Sequence, residues 1–239
     1  MPTNNKINAL ANDLKAKKEY KKITEKQWTV YYYLLSESCI NMREHEKHRY
    51  IYRSSLNISS VSRQLGIDRS TFYNALPKLR KEGLIEYEDG KDYILIPLPR
   101  IYTTLPKKLL TQLLAFRKKL SIDLLRTFLF LSATYILYPD KDITIRNIVN
   151  CLGHSDTTVE NYQNIQIYID LLSSWGLIKY NSQMKNGGNI GKYRTYTILK
   201  INFESKKLNE RFDSIGSEMM AISELSEEEE KTIAKYLMN

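Results

Sequence analysis

The sequence predicts a mainly α-helical fold with small β-hairpins, in the α+β class, built from two similar units in tandem. Apolar residues recur at helical spacing ahead of pairs of strand-like segments. A second segment, Ile143–Phe203, repeats in weaker form the spacing of the first, Ile58–Leu98. The chain has 239 residues, which is enough for two small domains with tails.

The first unit begins with two helices joined by a tight turn. Ile58–Leu65 is predicted as a helix because Val61 and Leu65 share one face. Gly66 then supplies a left-handed residue, which ends a helix at low cost. Asp68 stands where it can cap the next helix by accepting hydrogen bonds from the free N–H groups of the first turn.

The second helix of this unit has one apolar and one polar face. Phe72, Leu76 and Leu79 recur at i, i+4 and i+7, which marks the side expected to face the core. Pro77 lies inside the helix and would cost about 3 kcal/mol in a regular one. We expect a kink rather than a break, because Leu79 continues the apolar spacing past the proline. Gly83 ends the helix.

A hairpin follows the second helix. Leu84–Tyr87 and Tyr93–Ile96 are predicted strands, and Glu88–Lys91 is the turn between them. Asp89-Gly90 can supply the positive φ values that such a turn requires.

This order of elements resembles the winged-helix superfamily, as seen in bacterial regulators and plasmid replication initiators. The likeness lies in the Leu65-Gly66 pair, in the D-R-S-T-F-Y opening of the second helix, and in the K-E-G-L-I ending before the hairpin. The resemblance implies two tandem winged helix-turn-helix domains, mainly α with small β-wings, in which the second helix reads a DNA groove. Winged helices also serve as protein-interaction modules, so the fold alone does not fix the activity.

The two units align on the Gly-Leu-Ile that closes each second helix. In both, three apolar residues precede the glycine by 11, 7 and 4 residues: Phe72, Leu76 and Leu79 before Gly83, and Ile165, Ile169 and Leu172 before Gly176. Ser155 or Asp156 is the expected cap of the second copy. The second wing is predicted at Asn181–Lys192.

Two apolar residues distinguish the second copy. Ile167 and Leu171 occupy the positions that Asn74 and Lys78 have in the first. We expect them to be covered by the preceding helix, by the first domain or by a partner subunit. An ordinary longer helix that is buried on two sides explains them equally well.

Each unit is expected to begin with an upstream helix. Thr24 can cap the first, which runs to about Ser38, and Ser121 can cap the second, Ile122–Tyr138. The polar segment Met42–Arg53 is expected to loop out. The predicted domains are a basic arm over 1–22, which touches phosphate or forms a solvated helix, a winged-helix domain over 23–99, a linker helix over 100–120, a second winged-helix domain over 121–204 and an acidic helical tail over 205–239.

Positive charge is concentrated in the body of the chain. The net charge is +9, but residues 1–203 hold 31 basic and 18 acidic residues and the last 36 residues carry −4. A basic body favours a polyanionic partner, which here indicates double-stranded DNA.

Neither the cysteines nor the histidines form a recognisable site. Cys39 and Cys151 have no metal-binding spacing and are expected to be buried thiols in a cytoplasmic protein, and no signal peptide is evident. The three histidines are scattered, and no glycine-rich phosphate loop occurs. We therefore expect no enzyme activity, no cofactor and no metal. The longest apolar stretch, Phe128–Tyr138, is too short to span a bilayer, so no membrane partner is expected.

Sequence-specific binding of double-stranded DNA is the expected function, in a plasmid or phage replication initiator that reads repeated sites with two winged helices. A winged-helix transcription regulator is the first alternative, and a protein-interaction adaptor of a chromosome-organising complex is the second. The expected base contacts are Arg69, Ser70, Tyr73, Asn74, Thr157, Thr158, Asn161 and Asn164, and the expected phosphate contacts are Lys78, Lys81, Lys91, Lys185, Lys192 and Arg194. Self-association or a protein partner is expected to use the Ile167/Leu171 face or the C-terminal tail.

Overall fold

The computed structural model describes residues 6–10, 23–40, 48–97, 102–116, 120–186, 192–213 and 227–237. Its first elements are β1 Lys6–Leu10, α1 Glu25–Glu37, β2 Cys39–Ile40, β3 His48–Tyr52, α2 Ile58–Leu65, α3 Arg69–Lys81 and β4 Tyr93–Pro97. They are followed by β5 Tyr102–Pro106, α4 Lys107–Ala115, α5 Asp123–Leu137, β6 Asp142–Thr144, α6 Ile145–Leu152, α7 Val159–Ser174, β7 Ile178–Asn186, β8 Lys192–Ile201, α8 Lys206–Asp213 and α9 Glu227–Leu237. The combination of helices with small sheets confirms the predicted α+β class.

The helix ends of the first unit follow the sequence signals closely. The Thr24 hydroxyl accepts a hydrogen bond from the Gln27 N–H, and the Gln27 side chain accepts one from the Thr24 N–H, which confirms the predicted cap of α1. Gly66 ends α2 with a φ of 57°. The helix α3 runs through Pro77 without a break, as expected. Asp68 stands at its N-cap but makes no capping hydrogen bond with its side chain, so that part of the prediction is wrong.

The first sheet differs from the predicted hairpin. The expected strand Leu84–Tyr87 forms an isolated bridge between Glu86 and Leu95, and β4 pairs instead with β3 along its whole length. β3 lies in the segment that was expected to loop out, of which 41–47 are outside the described residues. Arg49 obscured the signal because it points inward, where its guanidinium donates two hydrogen bonds of 2.7 Å to Ser38.

The C-terminal half has a helix, a strand, two helices and two strands in the order α5, β6, α6, α7, β7, β8. Its sheet is antiparallel with the order β6-β8-β7. Gly153, at a φ of 84°, ends α6. α7 begins after Thr158, so neither Ser155 nor Asp156 is its cap; the Asp156 carboxylate pairs instead with Arg146 at 2.7 Å.

The segments that connect and flank the two halves depart most from expectation. β1 pairs in antiparallel register with β5, so part of the expected N-terminal arm and part of the expected linker helix form a two-stranded sheet. The remaining lysines of the arm lie outside the described residues. α5 begins at Asp123 with Ile122 at its N-cap, so Ser121 lies one residue too early and the predicted cap is wrong. Ser121 has a left-handed φ of 67°, and its hydroxyl accepts a hydrogen bond from the Asp123 N–H at 3.3 Å.

The two halves share one continuous apolar core. α1 is buried from Trp28 to Ser36 and packs against α3 and α4, and α4 packs against α5. The Arg126 guanidinium of α5 lies 4.6 Å from the centre of a Trp28 ring, and Phe116 stacks on Trp175 at 4.7 Å. In the described part of the chain, no helix is long and apolar enough to cross a membrane.

Candidate nucleic-acid interface

The helix α3 presents a polar and basic surface because its other side is held in the core. Phe72, Ala75 and Leu79 are buried, whereas Leu76 is half-buried. All the site residues predicted on this helix are exposed, and Tyr73 has 57% of its surface accessible: Arg69, Ser70, Tyr73, Asn74, Lys78 and Lys81. The sequence pattern therefore identified the outward face of α3 correctly in the first unit.

The turn beside α3 is held by a network that the sequence did not indicate. The guanidinium groups of Arg53 and Arg80 lie over the Tyr87 ring, at 4.5 and 4.6 Å from its centre. The Asp92 carboxylate accepts hydrogen bonds from the Ser54 hydroxyl and N–H, and these bonds lower the Asp92 pKa. Cation–π contacts and charged hydrogen bonds of this kind hold a turn in one orientation.

This network positions the wing lysine. Lys91 is exposed, and Gly90 has a φ of 82°, as predicted. Asp89 does not have a positive φ, so the turn takes its left-handed residue from Gly90 alone and that part of the prediction is wrong. Because Arg80 belongs to α3 and contacts Tyr87 just before the turn, the wing is held in a fixed position relative to α3.

In the second helix pair, α6 and α7, the second helix is much less exposed than α3 is in the first. Ile167 and Leu171 are 4% and 0% exposed, so the apolar face of α7 is covered within the chain and is not available to a partner. α9 packs against α7 near its C-terminal end, where the indole N–H of Trp175 donates to Glu229 at 3.0 Å. A buried helix cannot enter a groove along its length.

The predicted base contacts of the second unit divide accordingly. Thr157 and Thr158 are exposed just before α7, whereas Asn161 and Asn164 are partly buried. The Asn161 amide also donates to the Ser155 carbonyl at 2.9 Å, which uses part of its bonding capacity within the protein. Of these four residues, the structure thus leaves Thr157 and Thr158, just before the helix, the most accessible.

The predicted phosphate contacts of the second wing are similarly restricted. The Lys185 ammonium donates to the Asp142 carboxylate, and this bond lowers the Asp142 pKa and raises that of Lys185. Arg194 is exposed. The side chain of Lys192 and the glycines at 187, 188 and 191 lie outside the described residues.

An ionic cluster with two buried members, Asp123 and Arg126, lies beside the turn between α6 and α7. The Asp123 carboxylate accepts from Arg126 at 2.7 Å and contacts His154 Nε2 at 2.5 Å, while Arg126 also donates to the Leu152 carbonyl at 3.0 Å. Burial opposes ionisation of Asp123, but its two partners outweigh burial and hold its pKa below the ordinary range. Asp123 and Arg126 are neighbours on α5, but sequence reasoning missed the cluster because His154 lies 31 residues from Asp123 in the chain.

Both cysteines are free thiols; Cys151 is buried as expected, but Cys39 is exposed, which corrects its prediction. Among the described residues, no group of three or more His, Cys, Asp or Glu side chains is arranged to hold a metal.

Residues 37–108 match the model of the family described as "Sugar-specific transcriptional regulator TrmB", a family of winged-helix DNA-binding proteins. The matched residues cover less than half of the chain and include α2, α3 and the wing. The match supports a winged helix in this part of the protein, and the arrangement of helices and strands is consistent with it. No curated protein and no solved structure matches the chain.

Proposed function

We propose that the protein is a DNA-binding transcription regulator whose helix α3 enters the major groove of duplex DNA. The observation that carries this proposal is the division of α3 into a buried apolar side and an exposed polar and basic side. The match of residues 37–108 to a transcriptional regulator family supports this role more than that of a replication initiator.

The side chains of α3 suit different parts of DNA. Asn74 can form two hydrogen bonds with an adenine edge, and Arg69 can form two with guanine. Phosphate oxygens are suited by the flexible, positively charged side chains of Lys78, Lys81 and the wing lysine Lys91. In this proposal the first group selects the sequence and the second fixes the position of the helix on the duplex.

The second half is proposed to be a second winged helix that supports the first rather than reading DNA with its own recognition helix. Its element order and its sheet order suit that fold. The burial of α7 limits direct contacts to the exposed threonines Thr157 and Thr158 and to the wing residue Arg194.

A replication initiator remains a second candidate, favoured by the similar element order of the two halves. Footprinting on the DNA that flanks the gene separates the two roles. Protection of one site that overlaps a promoter supports the regulator, and protection of an array of direct repeats supports the initiator.

We predict that Asn74→Ala and Lys78→Ala affect DNA binding differently. Asn74→Ala should cost about 1–3 kcal/mol on the selected site and relax the preference at one base pair, since it removes a base contact. Lys78→Ala should weaken binding to cognate and random duplexes by a similar factor, since phosphates are common to both.

Fluorescence anisotropy with a selected and a scrambled duplex measures both effects. Lys200→Gln is the matched control, because Lys200 is an exposed cation on β8, in the C-terminal half of the chain. Equal loss from Asn74→Ala on both duplexes would show that α3 does not read bases.

A further inference from the structure

A recess of about 500 Å³ lies where the start of α1 meets the turn between α2 and α3. Its size is within the range of small-molecule sites in proteins. Side chains from all three helices line it: Lys26, Ser59, Ser62, Arg63, Asp68 and Arg69. The proposed function assigns a role only to Arg69 among these residues.

Ser62 gives this recess an unused hydrogen-bonding group. The residue is 6% exposed, and its hydroxyl has no hydrogen-bond partner among the described residues. A buried hydroxyl without a partner is unfavourable, and such groups in folded proteins are usually satisfied by a ligand or a water molecule. Ser62 lines the recess, and rotation about its Cα–Cβ bond would turn this hydroxyl toward a molecule bound there.

The charges around Ser62 favour an anion. Lys26, Arg63 and Arg69 are exposed, and none of them makes an ion pair within the part of the chain that the structure describes. Asp68 is the one carboxylate among the lining residues of the recess. Three cations against one carboxylate leave the recess positively charged.

The start of α3 adds to this preference. α3 has 13 residues, and no side chain caps its N-terminus, because the Asp68 carboxylate makes no capping bond. The unbonded N–H groups of a first turn and the helix dipole both stabilise a negative charge. Guanidinium groups add the paired N–H donors that match phosphate oxygens.

We propose that this recess binds the phosphoryl group of a small phosphate monoester. A monoester presents three oxygens on a mobile group, so one oxygen can accept from the buried Ser62 hydroxyl while others contact Arg63 and Arg69. A phosphate of duplex DNA offers only two free oxygens and is fixed in a chain, which suits a recess with a buried donor less well.

Binding of such a ligand should oppose DNA binding, because Arg69 serves both. This antagonism rests on the proposed function, whereas phosphate binding itself does not. The recess would then make DNA affinity depend on the concentration of a phosphorylated metabolite.

Nuclear magnetic resonance of the full chain tests the site with inorganic phosphate as the probe. Sodium chloride at equal ionic strength serves as the control for salt effects. The amide signals of Ser62, Arg63 and Arg69 should shift in a saturable way with phosphate and not with chloride. Ser62→Ala and Arg63→Gln should each weaken this binding about tenfold, since each removes a hydrogen bond to a charged group, while Lys200→Gln should leave it unchanged.

The DNA experiment distinguishes the two sources of phosphate. In anisotropy titrations at constant ionic strength, phosphate should lower the DNA affinity of the wild type but not that of Ser62→Ala. Absence of saturable shifts, or equal phosphate affinity in wild type, Ser62→Ala and Arg63→Gln, would overturn the proposal. Loss of DNA affinity in Ser62→Ala without any phosphate binding in the wild type would also overturn it, because the recess would then hold a phosphate of the DNA backbone. Phosphate binding without DNA binding would leave the site in place and reject the proposed function.

Discussion

Replacing Ile167 with aspartate and Leu171 with lysine together is expected to unfold the protein at ordinary temperature. Both side chains are buried in the shared core, at 4% and 0% exposure. Removal of a large buried apolar side chain costs about 2–5 kcal/mol, and a buried charge adds more, so the sum approaches the whole stability of a domain. Circular dichroism should show loss of the cooperative thermal transition.

The matched control introduces the same two charges at exposed apolar positions. Val159→Asp with Leu199→Lys changes residues that are 71% and 40% exposed, and Val159 lies on the same helix. This variant should melt close to the wild type. If the Ile167/Leu171 variant also melted like the wild type and bound DNA more tightly, then α7 would face the groove and the burial described above would be wrong.

Replacing Arg126 with methionine should lower the free energy of unfolding by about 3–5 kcal/mol, because the Asp123 charge would remain buried with one partner fewer. The change should also loosen the junction between the two halves, since the Arg126 guanidinium packs on Trp28. Urea denaturation measures the loss. Asp123→Asn combined with Arg126→Met should recover part of the stability, because no uncompensated charge is left.

The exposed pair Arg146–Asp156 is the control for this prediction. Its N–O distance is also 2.7 Å, but the Arg146 side chain is 60% exposed, so Arg146→Met should change the melting temperature little. If Arg126→Met and Arg146→Met lowered the stability of the protein by similar amounts, burial would not be the reason that the Arg126 ion pair matters.

The pH dependence of the same cluster follows from the lowered pKa of Asp123. Its contribution is fully present above the unfolded carboxyl pKa of about 4 and is lost as the pH falls through the lower folded value. The wild type should therefore lose more stability than Asp123→Asn as the pH is lowered below about 4.

Local signals in the sequence predicted the helices of both units well. The glycine end at Gly66 and the Thr24 cap depend on residues a few positions apart, and the structure has both. The outward face of α3 followed from the same periodicity, because a helix fixes which side chains share a side.

Long-range pairing explains most of what the sequence did not predict. β1 and β5 are almost a hundred residues apart and have no turn signal between them, so nothing local indicates their register. The inward Arg49 removed the alternating pattern of β3, and its stabilisation by Ser38 is a tertiary contact. The Asp123–Arg126 pair lies within α5, but His154 joins it only when the turn after α6 packs on α5.

The most direct test of the central claim is the salt dependence of binding between the full chain and a labelled DNA duplex. Three lysines of the first unit are assigned to phosphates, so the logarithm of the binding constant should fall against the logarithm of salt concentration with a slope of about −3 or steeper. Lys78→Gln should reduce the magnitude of this slope by about one. Absence of binding at low salt, or binding that does not change with salt, would contradict the assignment of this protein as a DNA-binding regulator.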